Sequence, residues 1–133
     1  MKKSVLLNSE ISYEIAKTGH TQTITIGDAG LPIPKGVKRV DLAVTKGVPS
    51  FLNVLDAVLS EMKVEKITLA KEIIAKAPEL KEEILKRFPQ NEVKVEFVRH
   101  EKFKKATEES NVIIRTGETT PYANIILTSG VTF

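Results

Sequence analysis

Short runs of β-branched and aliphatic residues alternate along this chain with stretches of helical periodicity, and that alternation restricts the fold more than any other feature. Thr23 to Ile26, Arg39 to Val44, Ile67 to Ala70, Val93 to Phe97, Val112 to Arg115 and Ile125 to Thr128 read as strands. Between them, Asn8 to Lys17 reads as a helix capped by Asn8 or Ser9, with Gly19 expected as its left-handed stop. Phe51, Leu52, Leu55, Val58, Leu59 and Met62 recur at helical spacing after Pro49 or Ser50. Pro78 opens a charged amphipathic helix that Pro89 ends, and a lysine- and glutamate-rich helical stretch follows His100 through Glu109. Strands separated by helices need crossover connections, which favour parallel pairing with helices on both faces. The expected fold is therefore α/β, a three-layer α/β/α unit with a mixed, mostly parallel sheet of about six strands. Only the loop from Gly117 to Pro121 separates the last two strands, so an antiparallel edge is expected there. Val131 to Phe133 reads as a continuation of the sheet after Ser129-Gly130.

A length of 133 residues fits one domain, 1–133, with enough interior to need no disulfide or structural metal. Cysteine is absent, which removes thiol catalysis and cysteine zinc sites and fits a reducing, cytoplasmic setting. The apolar run Val5 to Leu7 is too short for a signal-peptide core, and no run approaches the ~18 apolar residues of a membrane helix, so no membrane partner is expected. Twenty basic residues against 17 acidic ones leave a net charge of only +3, and the lysines are interspersed with glutamates. With aromatics at 5% and no tryptophan, the stacking residues of single-strand nucleic-acid binders are also missing, so no nucleic-acid partner is expected. Gly27 and Gly30 lack dinucleotide-fingerprint spacing, no phosphate loop occurs, and neither an HExxH helix nor a calcium loop is present. Neither a cofactor nor a metal is expected.

Few residues remain that could carry chemistry. His20 and His100 are the only histidines, and each lies just after a regular element. Imidazole titrates near ~6.5, so near neutrality it can both give and take a proton. His20 follows the end of the first helix, where the helix dipole favours a cation. Asp28 follows the first strand at its carboxyl end, where ligands of α/β sheets collect, and His100 maps to the same edge. Asp28 beside Gly27 can equally be a turn residue hydrogen-bonding its own backbone. Tyr122 and Asn124 present a hydroxyl and an amide ahead of an apolar strand, and spacing alone does not separate ligand contact from an ordinary strand start. Lys104 stands one helical turn after His100 and could face the same site or solvent. The apolar stripe from Phe51 to Met62 reads as core or subunit contact.

Taken as words, LLNSEIS, AKTGHT, DAGLPIP, TKGVPSFLNVLDAVLSEM and IRTGETTPYANIILTSGVTF together resemble the D-ribose pyranase family from end to end, least distinctively around Ala75 to Glu92. That resemblance implies interconversion of D-ribose between β-pyranose and β-furanose forms without a cofactor, feeding ribokinase. By position, His20 in the GH word resembles the family's proton donor, while Asp28, His100, Tyr122 and Asn124 resemble its sugar-binding residues, with Lys104 a further candidate. Thr119 stands where the family has cysteine, a small-for-small change. The resemblance also implies a ring-shaped homo-oligomer, commonly a decamer, with sites near subunit contacts. Fucose mutarotases resemble the chain at the GH and the aspartate but lack DAGLPIP followed by GVPSF. A fucose-type mutarotase and a non-catalytic ribose-binding accessory protein are the alternatives. On the catalytic reading, His20 protonates the ring oxygen of a sugar held beside Asp28, so the two side chains are expected at one pocket.

Overall fold

The computed structural model describes residues 1–133 as one six-stranded sheet flanked by five α-helices. In chain order these are α1 (Ser9–Lys17), β1 (Thr23–Gly27), β2 (Lys38–Asp41), α2 (Phe51–Leu59), β3 (Val64–Ala70), α3 (Ile73–Lys76), α4 (Pro78–Leu85), β4 (Lys94–Val98), α5 (His100–Ala106), β5 (Val112–Arg115) and β6 (Ile125–Ser129). A 3₁₀ turn over Thr107–Glu109 extends α5. Side chains set several of these boundaries. Asn8 Oδ1 accepts the Ile11 N–H and opens α1, and Ser50 Oγ accepts the Asn53 N–H and opens α2. β2 stops at Asp41 rather than running to Val44, because the Asp41 carboxylate accepts the Ala43 N–H at 3.0 Å and turns the chain out of the sheet.

The strand order is β2-β5-β1-β6-β3-β4, with every strand parallel to its neighbours except β6. The antiparallel strand is therefore not an edge. It is wedged between β1 and β3, and β5 lies on the far side of β1. Residues 116–124 carry the chain past β1 where a hairpin would have returned it beside β5. Burial explains the choice: Ile125, Ile126 and Leu127 are all buried, and consecutive apolar residues need cover on both faces. The charged strands KRVD and KVEFV occupy the edges instead. Both flanks of β6 are already paired, so Val131 to Phe133 adds no strand and lies exposed.

The two faces are unequally covered. α1 to α4 contribute Ile11, Phe51, Leu55, Val58, Ile73 and Ile84 to the larger core, against Ile24, Ile67, Leu69, Ile114 and Leu127. On the other face α5, through Phe103, and the loop residue Leu31 cover Ala70, Val98, Ile113 and Ile126. Toward the far end of that face, Thr23, Thr128, Lys66 and Glu96 are only half-buried. No helix is long and apolar enough to cross a membrane.

Candidate active site

β1 ends at Gly27 and delivers Asp28 to the carboxyl edge of the sheet. Because β6 runs antiparallel and pairs Ile125 with Ile26, the residue just before β6 arrives beside the residue just after β1. That residue is Asn124, 1% exposed. Its Oδ1 accepts the Asp28 N–H at 2.8 Å, and its Nδ2 donates to Asp28 Oδ2 at 3.0 Å. Asp28 Oδ1 accepts the Gly30 N–H at 2.9 Å, so each carboxylate oxygen has one fixed donor and keeps lone pairs for a ligand. Gly27 leaves room for Leu31 and Asn124: a Cβ would lie 2.6 Å from Leu31 Cδ2, 3.1 Å from Leu31 Cβ and 3.2 Å from Asn124 Oδ1, so the Leu31 side chain would have to shift.

Around this pair lies a cavity of about 270 Å³ lined by Asp28, Leu31, Pro32, His100, Pro121, Tyr122 and Asn124. That is at the small end for ligand pockets, suited to a small polar molecule. His100 reaches it from the first residue of α5, its ring edge-on to Tyr122 at 5.1 Å and stacked on Phe103 at 6.2 Å. Tyr122 holds a left-handed backbone at φ 62, uncommon for a bulky residue and here part of the pocket wall. Four of the sequence candidates, Asp28, His100, Tyr122 and Asn124, thus share one cavity although they come from three separate segments. Lys104 does not join them. It pairs with Glu101 at 2.7 Å and lines a neighbouring hollow with Pro32 and Pro34.

His20 is elsewhere. It precedes β1 as Asp28 follows it, and five strand residues at ~3.3 Å each put roughly 16 Å between the two ends. The expectation that both face one pocket is therefore not met in this chain, where they line separate cavities. Nor does Gly19 supply the left-handed turn after α1: Thr18 caps the helix in an extended conformation and Thr21 takes φ 70. The Thr21 N–H donates to the Ser129 carbonyl at 3.0 Å, tying this turn to the end of β6. The His20 side chain is 52% exposed, and its Nε2 lies 2.9 Å from Glu65 Oε2 on β3. A second cavity of about 350 Å³ opens beside it, bounded by Ile15, Met62 and the residues from Ser129 to Phe133.

Three carboxylates that sequence reading passed over organise these ends. Glu118 takes hydrogen bonds from the Phe51, Thr119 and Thr120 N–H groups and the Thr120 hydroxyl, while its carbonyl accepts the Ala29 N–H. Burial pushes its carboxyl up, but those donors hold it below its ordinary value. Glu72 binds the His100 N–H through both oxygens, at 3.0 and 3.1 Å, and fixes the start of α5. Burial raises it, and the His100 and Glu72 backbone N–H groups overcome that and lower it. Glu65 is the third. Glu118 lies in the word IRTGETTPYAN and the other two in no such word, but each acts on a residue remote in sequence.

A profile of the RbsD / FucU transport protein family matches residues 1–132. Proteins called D-ribose pyranase from Actinobacillus succinogenes and Rhodopirellula baltica are each 55% identical over the whole of both chains. The structure of Bacillus subtilis RbsD complexed with D-ribose superimposes with a TM-score of 0.95 at 44% identity, covering both chains fully. A fucose mutarotase from Streptococcus pneumoniae, 22% identical with a TM-score of 0.77 over the whole of both chains, shares the fold.

Proposed function

The chain belongs to the RbsD / FucU transport protein family, and from that membership we propose that it interconverts β-D-ribopyranose and β-D-ribofuranose. Residues 1–133 act as one unit, without a cofactor, in the cytoplasm, and supply ribokinase with the ring form it uses. The observation that carries this reading is the Asp28–Asn124 pair, set in a small cavity with His100 and Tyr122. Ring exchange opens a hemiacetal. A donor protonates the ring oxygen O5 as the C1–O5 bond breaks, and an acceptor takes the proton of the anomeric hydroxyl to leave an aldehyde. The 4-hydroxyl then adds to C1, its proton departs, and the carbonyl oxygen regains one. Asp28, directly or through a water, takes the anomeric proton. Asn124 fixes that carboxylate, and His100 and Tyr122 orient the remaining hydroxyls.

His20 supplies the proton to O5 from a neighbouring copy of the chain, as the separation along β1 requires. A homo-oligomer, commonly a decamer in the family, brings the imidazole of one subunit to the cavity of the next. Supporting this, Val5, Leu7, Val44, Val48 and Phe133 are exposed on the single chain. General acid–base help is worth about 10²–10⁴-fold, enough for a reaction whose uncatalysed rate is not extremely slow.

The test is saturation-transfer NMR on equilibrated ribose with catalytic amounts of protein, beside the same measurement on L-fucose. Faster pyranose–furanose exchange of ribose is expected. Stoichiometric shifts alone would make the protein a binder, and acceleration confined to fucose would make it a mutarotase of the other type. Mixing subunits of His20→Ala and Asp28→Ala, each inactive alone, should restore about a quarter of the sites, since each site draws on two copies. No recovery after verified mixing would return both residues to one chain's site and sink the shared arrangement.

A further inference from the structure

We propose that Glu65 is a positioning residue for His20: its carboxylate holds the Nε2 edge of the imidazole and so turns Nδ1 toward the sugar. The proposal rests on the reading of His20 as the proton donor. It comes from the way the chain is bent to make the contact. β3 carries a bulge at Glu65, where Val64 pairs with Ser129 and Lys66 with Thr128, so β3 advances two residues while β6 advances one. A bulge re-aims side chains. In regular alternation Val64 and Ile67 would face opposite sides of the sheet, yet both are buried in the same core. The extra residue that reconciles them is Glu65, which leaves the core face and points to His20 at 2.9 Å.

The other half of the contact is fixed as firmly. Thr21 takes the left-handed conformation next to His20, and the backbone around it exchanges hydrogen bonds with β6: Thr21 N–H to the Ser129 carbonyl, and Ser129 N–H to the Gln22 carbonyl. Gly130 N–H bonds the Lys63 carbonyl, and a Cβ at Gly130 would stand 3.2 Å from Glu65 Cβ and 3.3 Å from its backbone nitrogen. Thus the end of β6 braces the histidine turn on one side and the bulge on the other. A solvent-exposed contact of this kind, here 52% and 42% exposed, adds little to stability, so stability does not account for a bulge, a left-handed threonine and a closely packed glycine meeting at one contact. Orientation does. With Nε2–H donated to the carboxylate, Nδ1 is the nitrogen that gives the proton to O5 and recovers one on ring closure, while the Nε2 proton stays in place.

The experiment measures maximal ribose ring-exchange rate and half-saturating ribose concentration for variants of the full-length protein. Glu65→Ala should lower the maximal rate roughly 10- to 100-fold, as misplacing a reacting group does, with half-saturation changed less than about twofold. Glu65→Leu, which keeps the bulk beside Gly130 but offers no acceptor, should match it. Glu65→Gln keeps an acceptor oxygen and should restore the rate to within about threefold of the unsubstituted protein. In a His20→Ala background, Glu65→Ala should add no further loss, because the two act as a unit. An unchanged rate in both Glu65→Ala and Glu65→Leu, with His20→Ala slow, overturns the positioning role and leaves the donor reading standing. An equal additional loss in the His20→Ala background assigns Glu65 to structure and also overturns it. If His20→Ala itself retains full rate, the donor reading falls first.

Discussion

The two ends of the sheet are built differently. At the carboxyl end, Asp28 and the internal Asn124 share a cavity in which His100 Nδ1 is buried without a partner, and behind it Glu118 collects four donors and the Thr116 hydroxyl donates to the Gly27 carbonyl at 2.8 Å. At the amino end, His20 projects from a tight turn with a single polar partner and half its side chain in solvent. One end closes a polar cavity within a single chain; the other presents an imidazole outward. The contrast teaches that a hydrogen-bonded polar cavity and an exposed imidazole occupy opposite edges of the fold; the proposed function divides sugar binding and proton donation between them and needs a second copy to unite the two.

The comparison is tested first where the largest effect is expected. His20→Ala should slow ribose exchange about 10²–10⁴-fold, equivalent to ~3–5 kcal/mol of barrier, while ribose affinity in an NMR titration changes less than about twofold. A parallel loss of affinity would place the imidazole among the binding groups and blur the division. Glycine replacement probes the next difference, in backbone crowding. A Cβ at Gly117 would meet the Val48 carbonyl oxygen at 2.3 Å and that of Thr45 at 2.6 Å, both backbone atoms. Gly117→Ala should therefore destabilise by about 1–3 kcal/mol in urea denaturation. Gly19→Ala, whose Cβ would meet only the tip of Gln22 at 3.5 Å, should stay within about 0.5 kcal/mol. Equal effects at both glycines would mean that the ends are equally tight.

Acid sharpens the same contrast. Glu118 and Glu72 are held below the ordinary carboxyl value of 4.5 in the folded protein. Their stabilisation is complete above that value and is lost as pH falls through the lower folded-state values. The Phe51, Thr119 and Thr120 amides should lose exchange protection as the pH drops below about 4.5, and Glu118→Gln should flatten the acid limb of the denaturation midpoint. A midpoint equally acid-sensitive with and without Glu118 removes that carboxylate from the account. The smallest effect belongs to Lys104. Paired with Glu101 outside the Asp28 cavity, it should leave ribose exchange within about threefold on replacement by alanine. A larger loss would extend the site into the hollow beside Pro32 and Pro34.

How much of this the chain discloses depends on reach. The caps at Asn8 and Ser50 and the strands themselves were readable from residues a few positions apart. So, with closer attention, was the separation of His20 from Asp28, because a strand stands between them and a strand has two ends. The placement of β6 left a trace in Ile125-Ile126-Leu127, three consecutive apolar residues that an edge strand does not carry. The short link before it pointed instead to a hairpin, and the need to bury both faces outweighed link length. Glu65 left no such trace: in sequence it is one more charged residue in a lysine- and glutamate-rich chain, and only the bulge gives it a direction.

By itself, then, the sequence determined most of the helices and strands, though neither α3 nor the extent of β2 nor the fate of Val131 to Phe133, and which polar residues stand at their ends, since capping, turn chemistry and periodicity operate within a few residues of chain. Only the tertiary structure decided that Asp28 meets Asn124 across 96 residues and His20 meets Glu65 across 45. Those meetings follow from strand order, and strand order is settled by how the whole chain buries both faces of one sheet.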